Sequence, residues 1–155
     1  MFQNYQNNQE LFLNPSEDVL CLQSQLFPLI LLTQQKDLIE IIFLNHDWNS
    51  EWLFPQVDYL ISNPPYVNKE ATTGKEEGIW HEPEKALFSK DKGLSDLKLI
   101  LTKGKNFLNE NGKVYLEHAP DQYEELNKFA MEKGYPNFSN LNDLNGDKRV
   151  SIYQC

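Results

Sequence analysis

The chain has 155 residues, of which 40% are hydrophobic and 12% aromatic, enough to bury a core and too apolar for a disordered polymer. Its 23 acidic side chains outnumber 14 basic ones, for a formal charge of −9. Phosphates are repelled by that balance, so nucleic acid is an unfavoured partner. Two cysteines, Cys21 and Cys155, stand in no metal-ligand spacing, so neither a disulfide framework nor a metal site is expected.

Residues 1–10 are rich in Asn and Gln and read as a disordered N-terminal tail, with residues 11–155 as one domain. Leu11-Phe12-Leu13 is a short strand candidate. Ser16 with Glu17 and Asp18 reads as a helix start, followed by a helix over Val19 to Gln35 that is bent or broken near Pro28. The longest apolar stretch, around Leu26 to Leu32, contains that proline and is too short to span a bilayer. No signal peptide opens the chain, so an intracellular protein is expected, cytoplasmic or mitochondrial, with no membrane partner.

Ile39 to Leu44 and Val57 to Ser62 read as strands covered on both faces, since neither alternates strictly. Asn68 to Lys92 reads mostly as a loop, long enough to suggest a functional one. Ser95 then caps a helix whose core stripe is Leu97, Ile100, Leu101, Gly104 and Leu108. A strand over Lys113 to His118 follows the Asn111-Gly112 turn, and a helix over Asp121 to Lys133 stops at Gly134. Asn145-Gly146 closes a terminal hairpin, Asn137 to Leu141 with Arg149 to Tyr153. Strand, helix, strand, helix and hairpin describe an α/β sheet with one antiparallel strand late in the order.

The strand over Val57 to Ser62 ends in Asn63-Pro64-Pro65-Tyr66. Each proline fixes its own φ and lacks an N–H, and Pro64 pushes Asn63 toward extended geometry. Such a rigid corner can aim carbonyls and the Asn63 side-chain oxygen at one spot. Two fixed acceptors suit the two coplanar N–H donors of an amide or exocyclic amine. That is the demand of methyl transfer to a planar nitrogen. Tyr66 offers either an aromatic wall for the planar group or ordinary loop burial.

Asp58 to Val67, with Asn63-Pro64-Pro65-Tyr66 at its centre, resembles the signature of the HemK/PrmC protein-glutamine methyltransferases. The similarity continues through His46-Asp47-Trp48, Glu82-Pro83 with Ala86-Leu87, Gly93-Leu94, Gly112 to Glu117 with Gln122, Gly134-Tyr135, Asp143-Leu144, Gly146 and Arg149. It covers roughly Ile39 to the C-terminus. These are class I enzymes that use S-adenosylmethionine to methylate the glutamine of a Gly-Gly-Gln motif in peptide chain release factors. The resemblance implies that Asn63 and the Pro64 carbonyl bind the glutamine amide, with Pro65 and Tyr66 completing the catalytic corner. Asn63 would also border the cofactor. Asp47, followed by Trp48, would contact the adenine edge; as local structure, Asp47 is equally a helix cap.

The family's glycine-rich turn has no counterpart, for no Gly-x-Gly occurs and the first glycine is Gly74. The resemblance therefore implies a partial Rossmann-like class I methyltransferase sheet with a C-terminal antiparallel hairpin, lacking the first strand and the glycine-rich loop. Weak or absent cofactor binding is expected, and a truncated gene product. The alternatives are an inactive remnant or interaction module and, disfavoured by charge, a DNA adenine-amino methyltransferase.

Overall fold

The structure is a computed structural model, and it describes residues 19–23, 29–35, 38–44, 49–52, 55–72 and 83–155. The tail, the Leu11 to Leu13 strand and the Ser16 helix start lie outside these residues. The strands are β1 (Val19–Gln23), β2 (Leu29–Gln35), β3 (Leu38–Leu44), β4 (Val57–Asn63), β5 (Val67–Asn68), β6 (Phe88–Ser89), β7 (Leu108–Glu117), β8 (Asn137–Asn142) and β9 (Lys148–Gln154). The helices are α1 (Glu84–Leu87), α2 (Ser95–Phe107) and α3 (Tyr123–Glu132). Seven strands form one mixed sheet in the order β3-β2-β1-β4-β7-β9-β8, and β5 pairs with β6 apart from it. The α/β class stands.

The helix expected over Val19 to Gln35 is replaced by β1 and β2. Val19-Leu20-Cys21-Leu22 is apolar at consecutive positions, a pattern that does not separate a buried strand from a helix. Backbone satisfaction decides it. β4 needs a ladder on the side away from β7, and β1 supplies it in parallel, from Val19 opposite Tyr59 to Gln23 opposite Asn63. The β4 ladder is thus filled on both sides, by β1 and by β7. Antiparallel pairing joins β1 to β2 and β2 to β3. That edge is a meander rather than a set of helical crossovers, so the sheet is mixed α/β without a doubly wound half among the described residues.

The other half follows the sequence pattern closely. β4 and β7 run parallel, and β9 returns antiparallel between β7 and β8. β7 begins at Leu108, earlier than expected. Asn111, at φ 65°, and Gly112 lie within it, where the register jumps from Val57–Leu108 to Tyr59–Lys113. The turn is absorbed as a bulge.

α2 packs its stripe against the sheet, with Leu97, Ile100 and Leu101 fully buried beside Leu60, Val114 and Leu116. Each such leucine contributes roughly 2 kcal/mol of burial. Ser95 is the first helical residue and does not cap α2. The Ser89 hydroxyl, from the end of β6, accepts the Asp96 N–H at 3.0 Å instead. α3 buries Tyr123, Leu126 and Ala130 as its spacing predicts. It ends in a paired C-terminal motif: the Gly134 N–H reaches the Met131 carbonyl and the Tyr135 N–H the Ala130 carbonyl, both at 3.0 Å.

Candidate active site

Asn63 is the last residue of β4, exposed at the carboxyl edge where β1, β4 and β7 run parallel. Ligands of open α/β sheets gather at such edges. No hydrogen bond joins the Asn63 side chain to another described residue. Pro64 and Pro65 are buried and Tyr66 is half-buried. The Tyr66 hydroxyl donates to Glu117 Oε1 at 2.9 Å, which fixes the ring against the end of β7.

Beneath this corner the Gln122 side chain is 5% exposed. Its Nε2 donates to the Tyr66 carbonyl at 2.9 Å and to the Lys92 carbonyl at 3.1 Å. Its Oε1 accepts the Ala119 N–H at 2.9 Å. Gly93, at φ +87°, lies directly against the Tyr66 carbonyl, so a Cβ there would overlap that oxygen. Asp91 and Lys92 also have positive φ, 54° and 55°. Lys98 Nζ holds Asp91 and Glu125 at 2.7 Å each.

His118 follows β7 and is fully buried. Its Nδ1 lies 2.7 Å from the Ala119 carbonyl and its Nε2 2.8 Å from Ser151 Oγ. A carbonyl only accepts, so Nδ1 carries the hydrogen and Nε2 accepts from the Ser151 hydroxyl. Burial pushes its pKa below the ordinary imidazole value, opposed by the Ala119 bond and helped by Arg149. A neutral structural histidine results. Arg149 donates through Nη2 to Asp143 Oδ2 at 3.1 Å. Asp143 Oδ1 accepts the Asn145 and Asp147 N–H groups at 2.9 and 3.0 Å, ordering the hairpin turn.

Of the expected site residues, Asn63, Pro64, Pro65 and Tyr66 form one corner. Asp47 and Trp48 lie outside the described residues, as do His46 and Glu82. Among the described residues no cluster of His, Cys, Asp or Glu could hold a metal ion. Sequence reasoning overlooked the bonds of Gln122. The available signal was the Ala119-Pro120-Asp121-Gln122 spacing, which is that of a helix-start glutamine reaching back to a backbone N–H.

No helix among the described residues is long and apolar enough to cross a membrane. No family model matches the chain. The release factor glutamine methyltransferase of Francisella tularensis is 28% identical over 121 residues, 78% of this chain and 43% of that protein. That of Aliivibrio fischeri is 33% identical over 121 residues, 72% of this chain and 43% of its own. That of Borreliella burgdorferi reaches 40% over 99 residues, 63% of this chain and 34% of its own. The chain therefore spans less than half the length of the curated relatives it matches. With the Asn63 to Tyr66 corner at its sheet edge, it is a homologue, in part, of the HemK/PrmC release factor glutamine methyltransferases.

Proposed function

We propose that residues 11–155 form the amide-binding part of a protein-glutamine methyltransferase domain, acting on a peptide chain release factor. The observation that carries this is the exposed Asn63 at the carboxyl edge of β4, with its proline corner tied down from behind. An amide nitrogen is a poor nucleophile because its lone pair is delocalised. Asn63 Oδ1 and the Pro64 carbonyl accept its two hydrogens, which orients the nitrogen and favours positive charge developing on it. Tyr66, its hydroxyl engaged by Glu117, supplies the flat wall.

S-adenosylmethionine, when bound, supplies the methyl group in such enzymes. The sequence offers no glycine-rich turn for its methionine end, the first glycine being Gly74. β1 stands beside β4, yet the segment after it is Ser24-Gln25-Leu26-Phe27-Pro28, with no glycine to let the backbone approach a ligand closely. The same mismatch favours a second possibility, an amide-binding module without transfer.

A titration separates these outcomes. A Gly-Gly-Gln peptide should shift the Asn63 side-chain and Val67–Asn68 signals of the isotope-labelled chain. Replacing the peptide glutamine by glutamate, which offers no N–H, should weaken binding about tenfold, and Asn63→Ala should do the same. Equal binding of both peptides sinks the amide role. Tritium transfer from labelled S-adenosylmethionine to a release factor supports the enzyme, and its absence alongside peptide binding supports the module. Transfer to DNA instead overturns the choice of substrate.

A further inference from the structure

We propose that Gln122 is a positioning residue that sets the direction of the acceptors in the Asn63 to Tyr66 corner; this rests on the amide-binding role just proposed. Pro64 and Pro65 have no N–H, so the corner cannot tie itself down through those two residues. Its tether comes from elsewhere. Gln122 spends both Nε2 hydrogens on it, one on the Tyr66 carbonyl at 2.9 Å and one on the Lys92 carbonyl at 3.1 Å. The Ala119 N–H, donating to Oε1 at 2.9 Å, fixes which way the amide faces.

One buried amide thus joins three segments at the carboxyl edge: the turn after β4, the loop before α2 and the turn after β7. The loop before α2 is under strain, since Asp91 and Lys92 are not glycines and both have positive φ. Such conformations persist only where neighbours over-determine them, and they gather near functional sites. Lys98 holds Asp91, while Gln122 holds the Lys92 carbonyl. Loss of the two donors releases the Tyr66 peptide plane and the strained loop together. The consequence falls on the direction of the acceptors at Asn63, beyond any general loosening.

Two near-isosteric variants test this. Gln122→Glu keeps the acceptor for Ala119 but sets a carboxylate against two carbonyl oxygens, and Gln122→Met removes every bond at similar volume. The readout is discrimination, the ratio of dissociation constants for the Gly-Gly-Glu and Gly-Gly-Gln peptides. Partial unfolding weakens both peptides equally and leaves the ratio unchanged, whereas misdirected acceptors bring it toward one. The expected result is collapse of an about tenfold ratio in both variants, with faster hydrogen exchange at Gly93 and Ser95 and an unchanged β8–β9 hairpin. A folded variant with wild-type ratio and exchange overturns the proposal.

Should neither variant fold, the wild-type chain decides. Slow exchange of the Gln122 side-chain hydrogens supports the tether, and exchange as fast as an exposed amide overturns it. A wild-type chain that binds neither peptide refutes the amide-binding role and with it the positioning role. Slow Gln122 exchange in that case would mark a structural staple only.

Discussion

Gly93 and Gly146 have nearly the same backbone, φ +87° and +89°, but different surroundings. A Cβ on Gly146 meets nothing within 4 Å, whereas one on Gly93 collides with the Tyr66 carbonyl and the Gln122 amide. Left-handed strain alone costs about 1–2 kcal/mol. Gly146→Ala should therefore destabilise by about that amount, and Gly93→Ala by on the order of 3 kcal/mol or more, since backbone must move. Urea unfolding of the two variants measures the gap, and equal losses would mean that the Gly93–Tyr66 contact carries no weight. At this scale the Asn63 to Tyr66 corner was legible because prolines act on their own dihedrals and on the residue before them. Gln122 was not, because the carbonyls it holds lie 56 and 30 residues away in sequence.

Elements with a polar face announced themselves. α3 alternates Tyr123, Leu126 and Ala130 with charged residues, and the terminal hairpin carries Asn145-Gly146 with Arg149 placed to meet Asp143. β1 and β2 did not, because an unbroken apolar run has no period to read. Ser89, which caps α2, lies seven positions from Asp96 and is brought there by the turn between them. His118 links two elements, and its protonation has a predictable effect. Its neutral form donates to Ala119 and accepts from Ser151, so a second proton on Nε2 would break the Ser151 bond. Burial, opposed by the Ala119 bond, lowers its folded pKa beneath the ordinary value of 6.5. The unfolded chain then binds the proton first. Stability is complete above 6.5 and falls as pH drops through the folded pKa, at up to about 1.4 kcal/mol per pH unit. Unfolding at pH 7.5 and 5.5 should show this loss, and His118→Gln should remove that component. An unchanged slope in the variant would assign the loss to other groups.

At the scale of the whole molecule, the two halves of the sheet answer to different constraints. From β4 onward, parallel pairing, helix and returning hairpin follow patterns the sequence states openly. Before β4, a meander fills the sheet edge, and only the need of the β4 ladder for a neighbour explains why. This division bears on the cofactor. Methyl transfer needs both a held acceptor and a held donor, and the proposed amide-binding corner concerns the acceptor. The sequence after β1 has no glycine before Gly74, and glycine is the residue that lets a backbone approach a ligand closely. The chain should therefore bind S-adenosylhomocysteine with a dissociation constant on the order of 1 mM or weaker. Calorimetry checks it directly. Micromolar binding would refute the prediction and show that another segment of this chain does the work of the glycine turn. Weak binding beside normal recognition of the glutamine peptide would separate holding the acceptor from holding the donor, with the first kept and the second lost.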